Sequence, residues 1–419
     1  MKLNRVVVTG IGAITPIGNS IPEFWNGLSN GMNGCDFITG FDTTLFRTKF
    51  ACEVKKFNPD NFFDKKDLKK LDTFGQYGLV CADEAIKDAG LLDYTELNKK
   101  RVGVLFTSGF GGVQTFEKEL FQYFQNGRNP RYFSPFFVPR TLLDLVGGSI
   151  SIKYGFKGMN FSVVAACASS TNAIIDALNY IRLGKADVLV VGGAEASVTE
   201  VAIGAFGAIK ALSERNDDPQ TASRPFDLER DGFVMGEGSG CMILESLEHA
   251  QKRNAKIYAE VAGGSMNADA YHITAPNPDG ESVIQVMQDA LEDAEMSLEE
   301  VDYINVHGTS TPLGDVAEVK AIQKVFGEHT YELNISATKS MTGHLMGAAG
   351  VVEAIASVLA MKYNLIPPTI NHFTDDAAFD TRLNFTFNKA HKKNVKAVLS
   401  NNFGFGGHNA SVIFKRFEL

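Results

Sequence analysis

Short runs of β-branched residues, each closing on glycine or a small residue, alternate along the whole chain with helix-length segments. Arg5–Thr9 (RVVVT), Val102–Phe106 (VGVLF), Val188–Gly192 (VLVVG), Ile257–Val261, Tyr303–Val306 and Ala397–Ser400 have the length and composition of buried strands. Gln76–Ala89, Thr171–Leu183, Ser282–Ala294 and Val316–Val325 lie between them with helical spacing. Strands separated by helices of that length predict a parallel-rich α/β architecture. Ile257–Val261 followed by Gly263–Gly264 repeats the order of Arg5–Thr9 followed by Gly10. The chain therefore reads as two halves, 1–255 and 256–419, divided within the charged stretch Glu245–Lys256 and packed tightly together.

Composition narrows the function. With 44% hydrophobic residues in 419, the chain can bury a large core, which excludes a disordered protein. Lys+Arg 40 against Asp+Glu 49 leaves a net charge of −9, which argues against a general nucleic-acid partner. Cys35, Cys52, Cys81, Cys167 and Cys241 are scattered with no CxxC pair, so neither a disulfide framework nor a zinc ribbon is expected, and a reducing compartment is. The apolar run near the N-terminus is short for a signal peptide. Gly343–Met361 carries His344 and Glu353, so it reads as a buried helix rather than a membrane span. The expectation is a cytoplasmic protein without membrane insertion.

Four strings carry candidate chemistry. In VVAACASST (Val163–Thr171), Cys167 lies at a strand-to-helix turn among small residues. A helix N-terminus there favours the thiolate, and the small neighbours admit a substrate carbonyl. A buried structural cysteine is the other reading. In INVHGTSTPLGD (Ile304–Asp315), His307 follows a buried strand and precedes hydroxyls and glycines, as in a substrate-lined cavity; a satisfied core histidine fits as well. In ATKSMTGHLMGAAG (Ala337–Gly350), Lys339 and His344 flank a threonine–glycine turn. A buried lysine needs a partner, for which Glu318 is the natural candidate, although the string also suits a tight glycine-mediated helix contact. In SNNFGFGGHNA (Ser400–Ala410), glycines around Phe405 let N–H groups turn into a cavity, as an oxyanion hole requires, or simply link two strands. Together, one thiol, two histidines, a lysine and a donor loop at strand ends form a kit for acyl transfer.

These strings, with RPFDLERDGFVMGEG (Arg224–Gly238) and DAYHITAP (Asp269–Pro276), closely resemble the β-ketoacyl-[acyl-carrier-protein] synthases, condensing enzymes of the thiolase superfamily. The resemblance covers essentially the whole chain and is strongest to the elongating synthase II branch. It implies a duplicated thiolase-like five-layer α/β/α/β/α sandwich and a homodimer. The implied reaction is decarboxylative Claisen condensation of malonyl carrier protein with an acyl carrier protein, through an acyl-cysteine.

Residue by residue, the resemblance implies Cys167 as nucleophile and the N–H groups of Cys167 and Phe405 as oxyanion donors. His307 and His344 would stabilise the enolate. Lys339, paired with Glu318, would order them, with Asp315 anchoring the same loop. Thr309 and Thr311 match contacts to the phosphopantetheine arm. Lys66, Lys69, Lys70, Arg131 and Lys210 match basic positions that would receive an acidic carrier protein. Asn305, Glu353, Ser400 and Asn401 match a structural monovalent-cation site, and no organic cofactor is implied. Two residues depart from the family pattern. Phe110 stands where a smaller aliphatic is usual at the floor of the acyl pocket, and is expected to shorten the accepted chain. His408 replaces a common threonine and has no assigned role. A polyketide or aryl-polyene ketosynthase shares every motif, and a non-catalytic acyl-carrier-protein-binding protein is the alternative outside enzymology.

Overall fold

The computed structural model describes residues 3–418. The β-branched runs become strands because both of their faces find an apolar layer. Ten strands form one sheet: β1 (Val6–Ile14), β2 (Val102–Thr107), β3 (Asn160–Phe161), β4 (Val188–Glu195), β5 (Gly238–Ser246), β6 (Ala259–Ala268), β7 (Tyr303–Asn305), β8 (Asn334–Ser336), β9 (Ala397–Gly404) and β10 (His408–Lys415), in the order β8-β7-β9-β10-β6-β1-β5-β4-β2-β3. β1 meets β6 only through Val7–Glu260 and Val8–Ala259. Outward from that contact, each side runs antiparallel, antiparallel, parallel, parallel. The duplicated order is present, but the sheet is mixed rather than parallel-rich. β5 and β10, absent from the sequence reading, each insert antiparallel to both neighbours and so reverse the chain direction at the centre of each side.

Five helices complete the layers: α1 (Thr73–Asp88), α2 (Ser169–Arg182), α3 (Glu281–Asp293), α4 (Gly314–Phe326) and α5 (Ala349–Tyr363). α2 and α5 form the central layer, where Ile174, Leu178, Val351 and Ile355 pack with Val191 and Val412 from opposite sides of the sheet. α1 covers the outer face of one side against Val190 and Ile243, and α3 with α4 cover the other against Leu399 and Ile413. The result is the five-layer α/β/α/β/α sandwich. Along β4 the consequence is visible residue by residue: Val188 and Val190 face α1, while Leu189 and Val191 face the central helices. The apolar stretch ending at Tyr363 is buried in this central layer, with Ala349 to Met361 inaccessible.

Each central helix is entered through a single 3-10 turn, Ala166–Ala168 before α2 and Met346–Ala348 before α5. Each turn opens on a side-chain-bearing residue in the left-handed region, Ala166 at φ 48° and Met346 at φ 45°. The charged stretch at the expected boundary is anchored at its start, although Glu248, Lys252 and Lys256 are exposed. Glu245 is buried at the end of β5 and accepts hydrogen bonds from Thr9 Oγ1 and from the Arg253 guanidinium.

β1 carries a bulge between Val8 and Gly10, which moves Ile11 and Ala13 onto the central face. Gly10 then lies under α1: a Cβ there would collide with the Ala85 carbonyl oxygen and sit 2.8 Å from Ala89 Cβ. Gly10→Ala should therefore destabilise the fold by about 1–3 kcal/mol in urea unfolding. An unchanged midpoint would show that α1 does not press on β1 there.

Candidate active site

Cys167 occupies the middle of the turn that feeds α2. Ala165, Ala166 and Ala168 have no side chain beyond Cβ, which lets the β9–β10 hairpin approach the thiol directly. Gly404, the last residue of β9, lies so close that a Cβ there would come 3.0 Å from the Cys167 nitrogen and 2.8 Å from the Ala165 oxygen. Gly406 and Gly407, at φ 86° and 73°, turn the hairpin, so the Phe405 N–H points at the Cys167 sulfur. Burial pushes the Cys167 thiol up to about 11, against lowering by the charge of Lys339 and the Phe405 N–H. The thiolate preference expected at a helix N-terminus is thus outweighed by burial. Cys35, Cys52, Cys81 and Cys241 are free and buried away from this turn.

The two histidines arrive from the other side of the sheet. His307 follows β7, and Glu318 of α4 accepts from its backbone N–H and from that of Gly308, both at 2.8 Å. His344 follows Gly343, whose φ of 68° makes the turn, and exchanges backbone bonds with Val234 and Gly236. The rings meet edge to face with centroids 5.3 Å apart. Burial, then the positive charge of Lys339, lowers both histidines well below the ordinary value; His344 adds to the effect on His307. Both are neutral at physiological pH, and neither Nδ1 has a hydrogen-bond partner among the described residues.

Lys339 does not pair with Glu318. Its ammonium contacts the Glu353 carboxylate of α5, and both side chains are buried. Glu318 is already committed to the two backbone donors of the His307 loop, and burial pushes it up to about 7. Asp315 accepts from the backbone N–H of Ser310 at 3.1 Å and of Phe226 at 3.0 Å, which ties that loop to the Arg224–Gly238 segment. The Glu353 carboxylate also accepts from Asn402 Nδ2 at 2.7 Å. Asn402 was not among the sequence candidates; strand alternation on β9, which sets it on the face opposite Asn401, is the signal that could have found it.

A cavity of about 820 Å³ collects Cys167, His307, His344, Phe405, Thr309 and Thr311 on its walls. The threonine hydroxyls lie 3.1 Å from each other. Phe110 lines the same cavity, 40% exposed, with its ring 5.8 Å from that of Phe206. Phe206 in turn reaches Phe405 and Phe233, and no sequence motif had marked it. Beneath Phe110, the buried Glu195 carboxylate accepts from the Gly109 N–H and from Ser197 Oγ, which fixes the loop that carries the ring.

The remaining sequence candidates are dispersed. Lys210 is exposed at the lip of this cavity, and Arg131 is exposed on the turn Pro130–Tyr132. Lys66 and Lys69 are exposed around the single turn Lys65–Leu68. Lys70 is half-buried, donates to Asp67 at 2.7 Å and borders a separate cavity. Of the cation candidates, Asn305 and Ser400 are register partners on β7 and β9, and Asn305 Oδ1 and Ser400 Oγ are buried without partners among the described residues. Two orphan hard oxygens side by side fit a monovalent cation. Asn401 and Glu353 do not bring their side chains to it. Asn401 alternates to the opposite face of β9, where its Oδ1 accepts from Ser411 Oγ at 2.7 Å, and the Glu353 carboxylate serves Lys339 and Asn402.

Comparison with known proteins places this geometry among relatives. Residues 3–250 match the model of the beta-ketoacyl synthase N-terminal domain, and residues 258–373 that of the C-terminal domain. The chain is 46% identical over 416 residues to the 3-oxoacyl-[acyl-carrier-protein] synthase 2 of Coxiella burnetii, covering 99% of each chain. It is 48% identical over 414 residues to the synthase 2 of Staphylococcus aureus strain COL, again covering 99% of each. Among solved structures, a beta-ketoacyl synthase from Burkholderia phymatum superposes with a TM-score of 0.91 at 33% identity, covering 99% of this chain and 100% of that one. A chain from a type II polyketide acyl-carrier protein in complex with its ketosynthase superposes at 0.92 and 33% identity, with the same coverage.

With the thiol held up near 11, iodoacetamide should alkylate Cys167 at a rate that climbs about tenfold per pH unit between about pH 7 and about pH 9, without levelling. Lys339→Met should slow alkylation throughout that range. A plateau near neutrality would mean that burial does not govern this thiol.

Proposed function

The chain belongs to the β-ketoacyl synthase family, and we propose that it elongates fatty acyl chains as a 3-oxoacyl-[acyl-carrier-protein] synthase of the synthase II type. The observation that carries this reading is the convergence of Cys167, the Phe405 N–H, His307 and His344 on one cavity. The chemistry falls into two halves through a covalent intermediate. Cys167 Sγ attacks the carbonyl carbon of an acyl-carrier-protein thioester. The N–H groups of Cys167 and Phe405 hold the oxyanion, each typically worth about 3 kcal/mol. The pantetheine sulfur leaves, and the proton from Cys167 goes out with it as the free thiol.

Malonyl carrier protein then takes the vacated site, its arm lying against Thr309 and Thr311. Cleavage of the bond to the carboxylate releases CO₂ and moves the electron pair onto the thioester as an enolate. His307 and His344, held neutral by burial and by Lys339, donate from ring N–H groups to the enolate oxygen. The enolate carbon attacks the acyl-cysteine carbonyl, and the Cys167 thiolate is expelled. The product is a 3-oxoacyl thioester two carbons longer. Lys339 acts in this scheme as a fixed charge beside the histidines, with Glu353 as its counter-ion. No organic cofactor enters any step. A monovalent cation, held by Asn305 and Ser400, would bind the β7 and β9 strand ends together beneath the site.

The working form in this reading is a cytoplasmic homodimer of chains whose two halves, 1–255 and 256–419, supply the thiol and the histidines respectively. Phe116, Phe121, Phe124, Val138 and Ile152 are exposed and β3 is a short edge strand, features that favour cover by a second copy. Lys66, Lys69, Lys70, Arg131 and Lys210 would receive an acidic carrier protein, with Lys210 nearest the cavity mouth.

Incubation with malonyl and acyl carrier proteins should yield linear 3-oxoacyl products. Cys167→Gln should abolish acylation while malonyl decarboxylation persists. Polyene or polyketide products would place the enzyme in another pathway, and no turnover would leave only a binding protein. Phe110→Ile should shift the product distribution toward longer chains; an unchanged distribution would remove Phe110 as the limit of the acyl pocket.

A further inference from the structure

The buried ion pair does not end at Glu353. Asn402 donates from Nδ2 to Glu353 Oε2 at 2.7 Å, and Thr171 donates from Oγ1 to Asn402 Oδ1 at 2.5 Å. Every member, Lys339, Glu353, Asn402 and Thr171, is buried. The polarity of the chain has one solution. An ionised carboxylate only accepts, so Asn402 must present its amide nitrogen to Glu353. That leaves its oxygen for Thr171, whose hydroxyl must then donate. Gly350 of α5 is pressed onto the two polar groups: a Cβ there would lie 2.9 Å from Asn402 Oδ1 and would collide with Thr171 Oγ1.

The route of the chain matters. Thr171 is on α2, in the first turn after Cys167, and Asn402 is on β9 just before the Phe405 hairpin. Glu353 is on α5, and Lys339 stands beside the histidines. We propose that Asn402, oriented by Thr171, is a positioning residue for Lys339: it holds the Glu353 carboxylate in the pose that keeps the ammonium against His307 and His344. This rests on the condensing reading of the site. Lys339 faces Glu353, Glu318, His307, His344 and the Cys167 thiol, and Glu353 faces Lys339 and the Tyr303 phenol. Loss of the Asn402 donor frees the Glu353 carboxylate to turn away, so the ammonium loses its fixed place beside the histidines.

The test compares Thr171→Val, Thr171→Ser and Asn402→Leu in the full-length enzyme by two partial reactions, acylation of Cys167 and decarboxylation of malonyl carrier protein, each resolved into kcat and KM. Thr171→Val and Asn402→Leu should lower kcat for decarboxylation about tenfold with KM for malonyl carrier protein unchanged and a smaller effect on acylation. Thr171→Ser, which keeps the hydroxyl, should restore kcat. An unchanged decarboxylation kcat in Thr171→Val and Asn402→Leu, equal slowing of both partial reactions, or a Thr171→Ser variant as impaired as Thr171→Val, would overturn the proposal while leaving the condensing reading intact. A wild-type protein without either partial reaction would overturn that reading and this inference with it.

Discussion

An ammonium ion taken out of water must have its counter-charge in contact, and among the described residues Lys339 finds it in Glu353. Removing either partner of such a pair typically costs about 3–5 kcal/mol, because the other charge is left buried alone. The pair therefore dictates where α5 sits relative to the turn that carries Lys339. Burial keeps the two histidines neutral, and the fixed positive charge beside them further opposes their protonation. The rest of the polar core is arranged to leave the pair undisturbed. Glu318 is occupied by the His307 loop, Asp315 by Ser310 and Phe226, and Glu195 by the loop under Phe110.

Around this charge the two sides of the sheet have diverged from a shared plan. Both enter a central helix through a 3-10 turn that opens in the left-handed region, at Ala166 on one side and Met346 on the other. The middle residue is Cys167 in the first turn and Gly347 in the second. A Cβ at Gly347 would come 2.8 Å from Glu195 Oε1 and 3.0 Å from the Ser108 carbonyl carbon, so the second turn is filled by its neighbours. The first turn opens instead into the cavity with its thiol. One architectural device thus closes against its neighbours on one side and lines the cavity on the other.

Much of this was legible beforehand. The six strands and four helices read from periodicity all exist, though β1, β4, β6 and β9 run further because glycines and small polar residues continue in extended pairing where β-branched residues stop. β5 and β10 were missed for the same reason: GSGCMILES and HNASVIFK begin in small or polar residues and become strands only through their neighbours. The Glu318 assignment failed for a different cause. Lys339 can choose among several acids in sequence, and it pairs with Glu353 because the acceptor oxygens of Glu318 are already taken by backbone N–H groups. Asn401, matched to the cation site, turns to the opposite face of β9 because the side of a strand that faces a site is decided by register.

The amino-acid sequence by itself determined the elements, the duplicated order, and the strings that hold the thiol, the histidines, the lysine and the turning glycines, because each of these is written in local spacing and residue size. The tertiary structure alone decided the partner of Lys339, the mixed direction of the sheet, the elevated Cys167 thiol and the Thr171–Asn402–Glu353 chain. These depend on which elements meet across the central layer and on how much water their meeting removes, and neither quantity is encoded at any single position.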